Sequence, residues 1–443
     1  MSGDPPPGLI VAAPASGSGK TVFTLGLLRH LARSGMSVAS AKAGPDYIDP
    51  AFHAAATGRP CLNLDPWAMR AATLRAAVSS LGEGAETVIC EGVMGLFDGA
   101  TADEGSTADL AQMTGWPVIL VIDAGAQGAS AAAVVRGFAS HRPGVRIAGV
   151  VFNRVGSERH ARILREATEA AQPQVPVLGH LGRLGELSLP RRHLGLVQAA
   201  EHPSLEAFLD RAAALVAEGV DTDAVVALAR PWNGGATPGT PPLKPLGQRI
   251  AVADDEAFAF CYPLVMEGWR AAGAEIVPFS PLAGEGPEIS ADAVYLPGGY
   301  PELHGGRLAA NRRFLDGLAA AAGRGAAVFG ECGGYMVLGR GLVDAEGNRH
   351  AMAGLLPLET SFDDPGLHLG YRRVVLAGGG PLGAAGAAFR GHEFHYARVL
   401  GEGPGEPLFT ASDAAGHDLG PAGLAAGPVM GSFIHLIDRE DDD

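Results

Sequence analysis

The chain has 443 residues, 47% of them hydrophobic and 18% charged, with a formal net charge of −15. Such a composition describes a folded globular protein with room for two or three domains, and excludes a disordered or collagen-like chain. The acidic balance excludes broad nucleic-acid binding, which needs basic patches, and no apolar run reaches the roughly 18 to 20 residues of a membrane span. The opening MSGDPPPGLIV has no basic region followed by a long apolar core, so no signal peptide is expected. The four cysteines Cys61, Cys90, Cys261 and Cys332 form no C-x-x-C pair, which points to a reduced, cytoplasmic protein.

Through residue 230 the chain alternates short apolar runs with Ala/Leu/Arg-rich helical stretches. Strands are predicted at Leu9–Ala13, Ser37–Ala41, Thr87–Cys90, Val118–Asp123 and Ile147–Phe152, which is the pattern of a parallel sheet covered by helices. The first strand runs into APASGSGKT, and VFTLGLLRHLARSG follows as a helix with Leu25, Leu28 and Ala32 on one face and Gly35 as its stop. Strand, Gly-rich loop and helix are the setting of a phosphate loop. Backbone N–H groups of Ser16, Gly17, Ser18 and Gly19 would wrap phosphates, Lys20 would reach the terminal ones, and the Thr21 hydroxyl would ligate Mg²⁺. The strict pattern has Gly six residues before the lysine, where this chain has Pro14.

A phosphate loop needs acidic partners at neighbouring strand ends. Asp46 in AKAGPDYIDP and Glu91 in TVICEGVMGLFDG stand there as metal ligands, with a helix cap or a solvated loop charge as the other reading of each. Asp98 shares the loop with Glu91. Asn153 in VVFNRVGS either reads an adenine edge or caps a helix. Near the end of this half, GRLGELSLPRRHLGLV carries Arg191, Arg192 and His193, which either meet substrate carboxylates or decorate a surface.

Residues 231–248, PWNGGATPGTPPLKPLGQ, read as a linker. A second α/β pattern follows in RIAVADD, AEIVPFS, DAVYLPGG and AAVFGEC. The run Gly330-Glu331-Cys332-Gly333-Gly334 places G-x-C-x-G after a strand and before the helical stretch YMVLGRGL. Small neighbours permit the strained turn that exposes a nucleophile, and the helix N-terminus is expected to lower the thiol pKa. His435 in GSFIHLID is the candidate base, and Gly299 with Gly333 the candidate oxyanion donors. GHEFHYAR, with His392, Glu393 and His395, reads as a metal pair or a site wall, and the wall is preferred because no third ligand presents itself. The tail Asp438–Asp443 is expected to fray.

Together these motifs resemble known families. Through LPGGYPE, FGECGGYMVLG and GSFIHL, the second half resembles a class I glutamine amidotransferase domain with a flavodoxin-like sheet. Through APASGSGKT, KAGPDYIDP and CEGVMGLFDG, the first half resembles the dethiobiotin synthetase-like P-loop amidoligases. The fusion in this order, with GHEFHYAR, is similar to the cobyrinic or hydrogenobyrinic acid a,c-diamide synthase family of cobalamin biosynthesis. The resemblance implies an α/β protein of two domains, 1–230 as ligase and 249–443 as glutaminase. It implies ATP with Mg²⁺, glutamine as nitrogen donor and a corrin polycarboxylate as substrate, with Tyr47 and Asp98 lining the substrate end. It leaves room for a homodimer. Free ammonia is mostly ammonium at neutral pH, so an internal passage between the two sites is expected.

Two departures stand out. Most amidotransferase triads carry H-x-E, whereas Leu436, Ile437 and Asp438 follow His435. Ala15 stands where partitioning-type ATPases carry an extra lysine. Cobyric acid synthase, another tetrapyrrole amidase and a nucleotide-switch ATPase with an inert second domain remain as alternatives. The Ala/Gly/Arg-rich usage leans towards the cobalt-free, aerobic-route substrate.

Overall fold

The computed structural model describes residues 6–183, 191–192, 195–196, 198–232, 234 and 240–440. The Arg191 and Arg192 side chains, His193 and much of the linker lie outside them. Contacts divide the chain into two compact units. One holds Met1–Trp67, Ala71–Arg191 and Leu196–Gly239, and the other Ala68–Arg70, Arg192–Gly195 and Thr240–Asp443.

The first unit is built on seven strands: β1 Gly8–Ala12, β2 Val38–Ala43, β3 Cys61–Leu64, β4 Thr87–Glu91, β5 Val118–Asp123, β6 Ile147–Val155 and β7 Val177–Gly182. They form one parallel sheet in the order β3-β2-β4-β1-β5-β6-β7. Residues of β1 to β4 are buried throughout, as expected of strands with helices on both faces. All five predicted strands are present and two more join them. The short β3, CLNL, carries a polar Asn63 whose amide donates to the Gly44 and Asp46 carbonyls, so tertiary hydrogen bonds rather than β-propensity hold it. β7 contains two glycines, which hid it.

Helix α1, Lys20–Arg33, buries Phe23, Leu25, Leu27, Leu28 and Leu31, and Gly35 beyond it has φ 88°. At Gly26 a Cβ would sit 2.5 Å from the Ala212 carbonyl, so glycine is what lets α1 touch the helix Leu205–Gly219.

In the second unit a parallel core runs Glu275–Phe279, Arg249–Ala253, Ala293–Leu296, Ala327–Glu331 and Val429–Ser432. The sheet continues antiparallel through Asp418–Ala426, Glu406–Asp413, His368–Leu376, Ala388–His395 and Ile434–Arg439, ten strands in all. The flavodoxin-like core is therefore only half of the sheet. The added strands connect antiparallel, which needs no crossover helix to announce them in the sequence. Phe258, Phe314, Leu296, Val328, Tyr335 and Leu338 pack in the core of this unit.

Two expectations are corrected. The helix over YMVLGRGL is only Gly333–Leu338, because Gly339 caps it and Gly341–Val343 pairs as a strand with Leu358–Ser361. Residues 438–440 of the tail are held in place, and the rest of it lies outside the described residues. Asp438 is buried and bonded to Arg70, which groups with this unit, and Glu440 binds Arg373 and Arg390.

Candidate functional sites

β1 hands the chain to the loop Ala13–Gly19, where Gly17 and Gly19 have φ of 79° and 98°. Ser16 and Gly17 are exposed, and the Ser18 hydroxyl donates to the Ala15 carbonyl at 2.8 Å. Lys20 is buried, and its Nζ donates to the Met94 carbonyl at 2.6 Å, on the loop after β4. Burial lowers its pKa. Asn153 is placed against the phosphate loop. It lies inside β6, which runs three residues further than expected, with its Nδ2 donating to the Ser18 carbonyl at 2.9 Å and its Oδ1 accepting from the Arg154 amide. That amide is committed to bracing the loop from below. A Cβ on Gly19 would be 2.0 Å from it.

Behind the loop lies a buried charge cluster. Thr21 Oγ1 donates to Glu91 Oε1 at 2.6 Å, so the two sequence-predicted oxygens meet. Asp46 is placed as the cap of a helix start. Its Oδ1 accepts from the Ile48 and Asp49 amides at the start of α2, Asp49–Thr57, while its Oδ2 is 3.9 Å from Lys42 Nζ. Sequence reasoning missed three members: Lys42, Asp49 and His53. Lys42 Nζ reaches Asp49 at 2.5 Å and Glu91 at 3.0 Å, and His53 Nε2 is 2.8 Å from Glu91 Oε2. A lysine at the end of a wholly buried strand was the available signal, since buried cations require partners. Burial opposes the Lys42 charge, but Asp49, Glu91 and Asp46 hold it well above the ordinary value. Burial likewise pushes against ionised Glu91, and Lys42, His53 and Thr21 pull its pKa down. Burial and Asp46 push Asp49 up. Hard oxygen donors beside a phosphate loop fit Mg²⁺. Tyr47 is buried, whereas Asp98 is exposed and accepts from the Gly95 amide at 2.8 Å.

In the second unit, Cys332 has φ 48° and ψ −105° between the strand Ala327–Glu331 and the helix Gly333–Leu338. A non-glycine residue held there marks a strained turn of the kind that can expose a nucleophile. The turn is possible because its neighbours lack side chains: a Cβ on Gly334 would be 2.0 Å from the Leu296 carbonyl, and one on Gly333 2.9 Å from the Gly299 amide nitrogen. The two candidate oxyanion glycines thus adjoin beside the thiol. Gly298, which sequence reasoning passed over, adjoins both candidate groups; its Cβ would be 2.3 Å from His435 Cε1 and 3.3 Å from Cys332 Cβ. The expected lowering of the thiol pKa is overturned. Burial and the nearby Glu302 carboxylate push the Cys332 thiol up, outweighing the Gly333 amide. The Sγ contacts the Phe394 carbonyl at 3.8 Å. His435 is buried and its pKa is pushed down to about 3, by burial and then by His392 and His395. The resting pair is therefore neutral thiol and neutral imidazole, the form in which histidine can accept a proton.

The GHEFH part of GHEFHYAR lies on the strand Ala388–His395, with His392 directly opposite His435. The structure does supply a third neighbour, His368, whose ring stacks on His395 at 4.6 Å. Arg372 Nε donates to Glu393 at 2.7 Å, so that carboxylate is already countered by a guanidinium. Asp438 is committed to Arg70.

A nucleotide loop on a parallel sheet, joined to a unit that sets a thiol on a strained turn beside a neutral histidine, defines a nucleotide-binding protein fused to a glutamine amidotransferase. Residues 9–197 match the CobQ/CobB/MinD/ParA nucleotide binding domain, and residues 249–442 match the CobB/CobQ-like glutamine amidotransferase domain. The chain is 56% identical over 97% of its length, and 98% of the relative's, to a hydrogenobyrinate a,c-diamide synthase of Sinorhizobium sp. It is 57% identical to that of Rhizobium meliloti (strain 1021), over 97% of this chain and 99% of the relative. The chain belongs to the hydrogenobyrinate a,c-diamide synthase family and is a glutamine-dependent amidating ligase. Among the described residues no helix is long and apolar enough to cross a membrane.

Proposed function

We propose that this chain amidates the a and c side-chain carboxylates of hydrogenobyrinic acid in cobalamin biosynthesis, with ATP and glutamine, in the cytoplasm. The end-to-end likeness to relatives of that name carries the substrate, and favours it over cobyric acid synthase or a nucleotide switch. The division of labour follows the motifs, with residues 1–230 as ligase and 249–443 as glutaminase.

In the glutaminase, Cys332 Sγ attacks the side-chain amide carbon of glutamine as His435 takes the thiol proton. Amide N–H groups of Gly299 and Gly333 receive the developing oxyanion. The C–N bond breaks, His435 returns the proton to the departing ammonia, and water hydrolyses the thioester to glutamate. In the ligase, a substrate carboxylate oxygen attacks the γ-phosphorus of ATP and ADP leaves. Ammonia then displaces phosphate from the acyl phosphate to give the amide. A carboxylate needs this activation because oxide is not a usable leaving group. Ser16 to Gly19 cradle the phosphates, and Lys20, released from the Met94 carbonyl, contacts the transferring group. Thr21, Asp46 and Glu91 would hold Mg²⁺, which neutralises charge developing on the phosphates. Asn153 supports the loop, and Tyr47 with Asp98 faces the substrate.

The test is a mass-resolved assay with Mg-ATP and glutamine, run separately on hydrogenobyrinic and cobyrinic acids. Each carboxylate-to-amide conversion lowers the mass by about 1 Da. Two steps on hydrogenobyrinic acid are expected; ATP hydrolysis without a mass change on either compound would overturn the corrin assignment. Cys332→Ala should abolish synthesis from glutamine and spare synthesis from ammonium salts. Lys20→Ala should abolish both while sparing glutamine hydrolysis.

A further inference from the structure

Between the nucleophile and its base the chain changes ladders. Glu331, the residue before Cys332, pairs with Ser432, and only three residues later His435 lies on a strand paired with Ala388–His395. In the order of the sheet, five strands separate Ala327–Glu331 from Ile434–Arg439. Regular pairing therefore does not set the position of His435 relative to Cys332. A side chain spans the gap. Glu331 is buried, its Oε1 accepts from the Leu436 amide at 2.9 Å, and its Oε2 accepts from the Tyr295 hydroxyl at 2.6 Å.

We propose that Glu331 is a positioning residue for His435, clamping the backbone beside the base from the residue beside the nucleophile. It touches neither substrate nor imidazole. Tyr295, on the neighbouring strand Ala293–Leu296, fixes the second oxygen and so the rotamer. What the clamp requires is an acceptor, not a charge. Burial pushes the carboxyl up to about 7, against the Tyr295 and Leu436 bonds. A glutamine can keep both bonds, accepting from Leu436 and donating to the Tyr295 oxygen, whereas methionine of similar length keeps neither.

The inference rests on the glutaminase reading of Cys332 and His435, and the full-length protein tests both separately. Cys332→Ala and His435→Ala test that reading: glutamine hydrolysis at the native rate in either would overturn it. For the clamp, Glu331→Met is expected to lower glutamine-dependent kcat by about 100-fold, towards His435→Ala, with KM for glutamine little changed. Synthesis from ammonium should be retained. Alkylation of Cys332 by iodoacetamide should follow the pH profile of His435→Ala rather than the native one. Glu331→Gln should stay within about threefold of native, and adding Glu331→Met to His435→Ala should cost nothing further. Native glutamine turnover in Glu331→Met overturns the clamp, and so does an additive double variant. If the methionine protein loses ammonium-dependent synthesis too, the glutamine variant decides: near-native turnover supports the clamp, and a loss matching His435→Ala overturns it.

Discussion

At the scale of single residues, burial decides the chemistry more than the motifs do. Cys332 sits at a helix start, yet its thiol is raised because the turn is sealed among Gly298, Gly333 and the Phe394 carbonyl. Free Cys332 should therefore alkylate faster with rising pH throughout the alkaline range, because thiolate forms only as pH approaches the raised value. A rate plateau near neutrality, measured with iodoacetamide, would contradict this. Glu331 gives a second test. Burial pushes its carboxyl up to about 7 from the ordinary 4.5, so between these values the unfolded chain has lost the proton that the folded one keeps. Its contribution to stability is full below pH 4.5 and falls as pH rises towards about 7. Glu331→Gln should flatten that part of the pH dependence of the urea midpoint. Lys42 holds Asp49 and Glu91 together, and Lys42→Ala leaves buried Asp49 without its cation and Glu91 with His53 alone. A loss of about 3 to 5 kcal/mol is expected by denaturant unfolding.

At the scale of elements, glycines set the distances. Gly298→Ala would drive a methyl group into the His435 ring, 2.3 Å away. Glutamine hydrolysis should fall by about 100-fold or more, with far-UV circular dichroism and ammonium-dependent synthesis unchanged. The elements themselves were unevenly legible. β5 was found with its exact bounds because VILVID is an unbroken apolar run. β3 escaped because its one outstanding residue, Asn63, is polar and works through distant carbonyls. The loop APASGSGKT and the turn GECGG announced themselves, since each is a local backbone device whose residue types are dictated locally. Lys42 and His53 did not, because what makes them functional is a carboxylate, Glu91, on another strand.

On the scale of the whole molecule, the net charge of −15 opposes an approaching polycarboxylate. Raising ionic strength from about 0.01 M to 0.15 M shortens the screening length from about 30 Å to 8 Å. The kcat/KM for the corrin substrate should rise over that range, while that for zwitterionic glutamine should stay level; a fall for the corrin would show that local cationic steering outweighs the global field.

The sequence by itself determined the class of each half, and it marked the phosphate-loop motif, a candidate nucleophile, its candidate base and a candidate linker in the Pro/Gly-rich segment. These are properties of contiguous residues: strand, turn and helix propensities, and the reactivity of a side chain placed by them. Tertiary structure alone decided that Asn153 braces the loop, that Lys42 neutralises the acidic cluster, that the thiol is raised rather than lowered, and that Glu331 ties the strand of the nucleophile to that of the base. Each of those depends on burial or on a partner far away in the chain, and neither is written in the local pattern.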